Sequence, residues 1–258
     1  MKILVCIKQV PDMESKFKVN GTGNWYEETD LAFRINEYDE FAIEQAVQLK
    51  EQLGNEPDVT ILTMGPERSK EALKKGLAMG CDRAVHILDD EYFNRDSFEV
   101  ASLLAGFAKE GSFDLILTGM QSQDRGSGQV GILLAEMLGI PSVSTIVEFS
   151  YNDGNVELKR DLEGGMKAKI NATLPLLLTC QMGLNTPRYP TLPNIMKAKK
   201  KEMTCLAASD LDHSSSFTTT TSFFFPEKSG SCLILDGDSS SNADKLIEIL
   251  KEKTAVLS

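Results

Sequence analysis

Thirteen residues, Gly119-Met120-Gln121-Ser122-Gln123-Asp124-Arg125-Gly126-Ser127-Gly128-Gln129-Val130-Gly131, carry four glycines from the end of an apolar run, Phe113–Thr118, into a helix-forming stretch, Gln129–Leu138. Glycine lets the backbone approach a ligand closely. Free N–H groups at a helix start suit an anion such as phosphate, and Ser127 and Gln129 add side-chain donors. The segment is not a Walker loop, because no Gly-Lys-Ser/Thr follows. It is not the dinucleotide fingerprint, which belongs on the first βα turn. Taken alone, it reads equally as an ordinary βα connection. Asn36 stands before another helical stretch and reads as an N-cap, a ligand contact or both; capping is the commoner use of an isolated Asn there.

A second segment has the composition of a contact surface. Asn185-Thr186-Pro187-Arg188-Tyr189-Pro190-Thr191-Leu192-Pro193-Asn194-Ile195-Met196 holds three prolines within seven residues, which keeps it extended and argues against an ordinary helix. Leu192, Ile195 and Met196 then sit on a stiff loop that loses little entropy on docking. The basic flank Lys197-Ala198-Lys199-Lys200-Lys201 suits an acidic protein partner. The same residues are also compatible with plain packing on the domain and a solvated lysine face.

Other chemistries find little support. The 27 basic and 38 acidic residues leave a net charge of −11, which disfavours nucleic-acid binding. The five cysteines (Cys6, Cys81, Cys180, Cys205 and Cys232) include no C-x-x-C pair, so neither a disulfide framework nor a zinc site is expected. His86 and His213 are isolated, which disfavours a histidine-dependent triad. The first residues read as a strand rather than a signal peptide. No run approaches the roughly 20 apolar residues of a membrane span, so a cytoplasmic protein without membrane insertion is expected.

The elements that must position these residues alternate. Strands are expected at Ile3–Ile7, Val59–Met64, Arg83–Leu88 and Phe113–Thr118. Helices are expected from after Asn36 to Gly54, from Ser69 to about Met79, at Ser97–Lys109 and at Gln129–Leu138. Residues 8–35 form a long polar connection of the kind that is usually functional. Such alternation specifies an α/β fold, an open mostly parallel sheet with helices on both faces, whose ligands bind beyond the strands' carboxyl ends. Those ends are Lys8–Asp12, Met64–Pro66 and Gly119–Gly131. A β-hairpin region follows at 142–172, turning at Asn152-Asp153-Gly154 and again at Glu163-Gly164-Gly165. Pro175–Thr179 is a further buried strand. Residues 1–205 are thus read as one nucleotide-binding domain, and 206–258 as a C-terminal arm. The arm comprises a Ser/Thr-rich linker through about residue 231 and an amphipathic helix, Ala243–Lys253, with Leu246, Ile249 and Leu250 on one side.

Cys6-Ile7-Lys8-Gln9-Val10-Pro11-Asp12, Asn36-Glu37-Tyr38-Asp39-Glu40, Gly65-Pro66, Asp114–Gly131 and the block Arg188–Lys201 together resemble the beta subunit of electron transfer flavoproteins, over about residues 1–205. The Ser/Thr-rich tail has no counterpart in that pattern. The resemblance implies an adenine nucleotide alpha-hydrolase-like sheet and a heterodimer with an alpha subunit that carries the redox FAD. It implies one structural AMP in this chain, and neither a catalytic residue nor a metal. Electrons would come from acyl-CoA dehydrogenases of fatty acid oxidation and leave to a membrane quinone oxidoreductase.

Carried over by position, the AMP site comprises Cys6, Asn36, Glu37, Tyr38, Asp39, Met64, Gly119, Met120, Gln121, Ser122, Gln123, Asp124, Arg125, Gly126, Ser127, Gly128, Gln129 and Val130. The dehydrogenase-docking residues are Tyr189, Thr191, Leu192, Pro193, Ile195, Met196 and Lys197, with Leu192 the anchor. Asp161 stands where the family has Glu in contact with the alpha subunit's flavin domain, and is one methylene shorter. Electron-bifurcating relatives use NADH, bind a second FAD here, carry a D-G-D-T-A-Q-V-G-P type loop and lack R-Y-x-T-L-P. This chain keeps only part of that loop, in Asp124–Ile132, and has Arg188-Tyr189-Pro190-Thr191-Leu192-Pro193 intact, which favours the AMP-containing kind. A PP-loop ATPase is disfavoured, because Lys8-Gln9-Val10-Pro11-Asp12 stands where that class wants Ser-Gly-Gly-x-Asp-Ser. A free-standing nucleotide-binding stress protein would leave the proline-rich block and the C-terminal helix unexplained.

Overall fold

The computed structural model describes residues 1–227, 230 and 232–254. They fall into two compact units, Met1–Phe223 and the chain from Phe224 onward. In the first unit, β1 (Lys2–Ile7) leads to a short ladder in which β2 (Gln9–Pro11) pairs antiparallel with β3 (Phe33–Ile35). Alternation follows: α1 (Glu37–Gln52), β4 (Asp58–Gly65), α2 (Lys70–Met79), β5 (Arg83–Leu88), α3 (Ser97–Gly111), β6 (Leu115–Gly119) and α4 (Val130–Leu138). Then come β7 (Ser142–Asn152), β8 (Asn155–Asp161), β9 (Lys167–Thr173) and β10 (Leu176–Cys180). A short helix α5 (Leu192–Ala198) and β11 (Met203–Ala207) complete the regular elements of this unit.

One nine-stranded sheet runs β11-β5-β4-β1-β6-β10-β7-β8-β9. From β11 to β7 every pairing is parallel; β8 and β9 add antiparallel. Strands covered on both faces must be apolar throughout, and Ile3, Leu4 and Val5 of β1 are fully buried. Ile3 and Val5 join Ile43, Ile61 and Leu73 on the α1/α2 face. Leu4 and Cys6 join Leu62, Leu103 and Leu134 on the α3/α4 face. Helices therefore cover both faces, as the alternation requires. No helix among the described residues is long and apolar enough to cross a membrane.

Several local expectations are sharpened or corrected. The 8–35 connection is not wholly irregular: beside the β2–β3 ladder it forms a bridge, Val19 to Tyr26, and stacks Trp25 on Tyr26 at 4.4 Å. Asn36 stands at the N-cap of α1, but its side chain makes no cap hydrogen bond. The proline-rich block is extended only to Thr191, which caps α5 by accepting from the Asn194 N–H at 3.4 Å. Pro193 lies in the first helical turn, where the N–H it lacks would have no intrahelical acceptor, so proline is compatible with the helix there.

The chain beyond residue 205 also does more than link. Cys205–Ala207 finish β11, in register with β5. A strap then lies along α3: Ser214 N–H donates to Ser102 at 2.8 Å, and the Phe217 and Thr218 N–H groups donate to Asp96 at 2.8 and 3.0 Å. The Phe217 ring lies 4.5 Å from that of Phe98. Short polar side chains build little core, but here they and their backbone exchange hydrogen bonds with a helix start. In the second unit, α6 (Ser239–Lys253) begins four residues earlier than Ala243, because Asp238 accepts from the Ser240 and Ser241 N–H groups, each at 3.0 Å.

Candidate functional site

The chain runs from β1 outward through β4 to β5, then returns to place β6 on the other side of β1. The carboxyl ends of β1 and β6 therefore diverge at a switch point, where open α/β sheets form their ligand crevice. A cleft partly open to solvent lies there.

Buried Asp39, in the first turn of α1, ties the two strand ends together. Its carboxylate accepts from Lys8 N–H at 2.6 Å and Gly119 N–H at 3.0 Å. Burial raises its pKa to about 7, against the pull of those donors and of the Lys8 ammonium. A Cβ on Gly119 would fall 2.2 Å from Asp39 Oδ1, so only glycine permits this closure. Asn36 braces the loop that follows: its Nδ2 donates to Gln121 O at 2.8 Å, and its Oδ1 accepts from Gln123 N–H at 3.0 Å. The loop then reverses through Gly126 and Gly128, both at positive φ, and enters α4 with no side chain capping the first-turn N–H groups. Those donors are left for a ligand.

The cleft walls differ in character. Cys6, Met64, Val100 and Leu104 supply an apolar side, and burial pushes the Cys6 thiol up, keeping it neutral. Lys8 is held by Asp124 at 2.6 Å, while burial lowers its pKa. Arg125 donates to the carbonyls of Arg95 and Phe93, each at 2.7 Å, and lies 4.9 Å over the Trp25 ring. Among the described residues no carboxylate pairs with it. An uncompensated guanidinium beside free N–H groups favours an anionic ligand.

Of the expected cofactor residues, the structure lines this cleft with Cys6, Asn36, Asp39, Met64, Gly119, Met120, Gln121, Ser122, Arg125, Ser127, Gly128, Gln129 and Val130. Glu37, Tyr38, Gln123, Asp124 and Gly126 are not on its lining. Four of them brace it from behind: Gln123 bonds Glu37 at 2.8 Å, Gln121 reaches the Tyr38 hydroxyl at 3.3 Å, and Asp124 holds Lys8. Sequence reasoning missed the α3 side, where Tyr92, Arg95, Asp96, Ser97, Val100 and Leu104 face the cleft. The signal was present, since alternation brings the start of every such helix to the same end of the sheet.

The second candidate region lies elsewhere. Arg188 grips α1, donating to Glu44 at 2.8 and 3.0 Å and to Glu51 at 2.6 and 2.9 Å. Asn185 donates to Phe41 O at 3.0 Å. With its base clamped, the block leaves Tyr189 91% and Leu192 79% exposed, and Met196 and Ile195 exposed beside them. Thr191, Pro193 and Lys197 are exposed on the same short stretch. Lys201 is different from the other lysines: its ammonium donates to Leu77 O at 3.0 Å and to Cys81 O, closing the end of α2. Asp161 ends β8, exposed, and its carboxylate takes no ion pair among the described residues.

Comparisons with known proteins bear on this arrangement. The family model for the electron transfer flavoprotein domain matches residues 24–211. The chain is 40% identical to electron transfer flavoprotein subunit beta of Bacillus subtilis, covering 100% of both chains. It is 33% identical to that of Methylophilus methylotrophus, covering 98% of each, and 35% identical to the mitochondrial subunit of Oryza sativa subsp. indica over 100% of both.

Proposed function

The chain belongs to the electron transfer flavoprotein beta-subunit family, and from that premise we propose that it is the nucleotide-stabilised, partner-docking half of a two-subunit electron carrier. Its partner is an alpha subunit that holds the redox FAD, which supplies the electron chemistry. Electrons arrive from an acyl-CoA dehydrogenase and leave to a membrane quinone oxidoreductase. This chain orients and recognises.

The observation that carries the reading is the β1/β6 cleft with its unsatisfied α4 donors and unpaired Arg125. These fit AMP: the phosphate takes the N–H groups of the α4 start and the Ser127 hydroxyl, and Arg125 balances its charge. The base takes the apolar side at Cys6, Met64, Val100 and Leu104. Asn36 and Asp39 act by bracing, since their side-chain groups are already engaged within the chain. The α5 block presents Leu192 to the dehydrogenase, and Asp161 offers its free carboxylate to the alpha subunit.

Acid extraction of the co-expressed heterodimer tests the reading. About one FAD and about one AMP per heterodimer are expected if the chain only supports a partner-held flavin. Two FAD and no AMP would replace it with the bifurcating, NADH-using reading.

A further inference from the structure

At the β11 rim of the sheet, Cys205 lies in register beside His86 of β5. His86 is fully buried, and its Nε2 sits 2.9 Å from Gly65 O. A carbonyl only accepts, so Nε2 carries the ring proton and Nδ1 keeps a bare lone pair. Nδ1 faces Cys205 Sγ at 3.9 Å. Burial lowers the His86 pKa and so favours the neutral ring, with Lys70 acting in the same direction and Glu67 and the backbone of Gly65 and Pro66 opposing. Cys205 itself is exposed. Lys70 opens α2 and pairs with Glu67 at 2.6 Å; Glu67 is the main cause that raises the Lys70 pKa, and the Cys205 sulfur is the least of the causes.

A proton acceptor, a neighbouring cation and open access are the conditions that make a cysteine nucleophilic. The remaining cysteines each lack some of them. Cys6, Cys81 and Cys180 are buried, and burial pushes their thiols up, that of Cys81 to about 12. Cys232 is exposed, with no base beside it among the described residues.

We propose that Cys205 is a modification site: a thiol with His86 as its positioning base and Lys70 as its counter-ion, which forms mixed disulfides with small disulfide compounds. The Cys205 proton passes to His86 Nδ1. The resulting thiolate attacks one sulfur of the reagent, its S–S bond breaks as the new one forms, and the leaving thiolate takes the proton back from His86. Cys205 and one half of the reagent are thereby joined, the other half leaves as a thiol, and His86 ends neutral.

The test treats the full chain, in its heterodimer, with oxidised glutathione near neutral pH and follows each cysteine by peptide mass spectrometry. Cys205 should be modified at least about ten-fold faster than Cys232. His86→Gln keeps a donor for Gly65 O and removes the base, and should abolish the advantage and shift the rate's pH dependence upward. Should that variant fail to fold, Lys70→Met at the surface should slow Cys205 several-fold, with Cys232 unchanged as the internal reference. Equal rates at Cys205 and Cys232 in the parent protein would overturn the proposal, as would a folded His86→Gln or Lys70→Met chain with an unaltered rate and pH profile.

Discussion

Asn36 is the residue at which two readings of one side chain part most clearly. A capping role would end at α1; instead its amide holds Gln121 and Gln123 in place. Asn36→Ala should cost about 1–3 kcal/mol in chemical denaturation, because two part-buried backbone groups lose their bonds, and should lower the AMP recovered on extraction. Asn36→Ser, a good cap but shorter, should lose as much; rescue by serine would restore the capping account. Asp39 makes a prediction in pH. Its folded pKa, about 7, lies above the ordinary 3.8. The folded state therefore binds this proton more tightly than the unfolded chain does. The associated stability is fully present below 3.8 and is lost as pH rises through about 7. Relative to Asp39→Asn, the parent chain's unfolding free energy should fall across that window and level off above it; a flat difference would refute the assignment. The sequence made both residues visible as family positions. It did not reveal their work, because the partners lie 80 or more residues away along the chain in each case that reaches the loop.

At the scale of elements, the alternating half was legible because each strand is short, apolar and bounded by turn residues. The antiparallel hairpin was legible from Asn152-Asp153-Gly154. β11 was not, since Met203-Thr204-Cys205-Leu206-Ala207 has no strand pattern of its own and is defined by the edge of β5. α5 was hidden by its prolines, whose cost depends on position within a helix rather than on number. That helix changes the proposed docking surface in kind. Leu192 is its first residue, held at a fixed angle by the Thr191 cap and the Arg188 clamp. Leu192→Ala should therefore reduce kcat/KM for reduction by the cognate dehydrogenase roughly ten-fold or more, as expected of a central apolar anchor. AMP and flavin content should not change. Unaltered kinetics would remove Leu192 as the anchor.

For the molecule as a whole, composition misplaced the end of the first unit. Serine and threonine argued for a linker from residue 206, yet the strap bonds to Asp96 and Ser102, and the Phe223 N–H donates to Gly23 O at 2.7 Å. A chain ending after Phe223 should melt close to the parent. One ending at Cys205 should melt lower by on the order of 5–10 °C, if the lost strand end and strap contribute about 2–3 kcal/mol; equal melting of the two truncations would return the strap to linker status. The sheet has two rims, and they differ. β9 pairs with β8 alone among the described residues and carries Lys167 and Lys169; β11 pairs with β5 alone and is five residues long. Open strand edges invite growth from one molecule to the next, and repelling charge or brevity prevents it. Both rims are thus poor templates for a strand from a second copy of this chain.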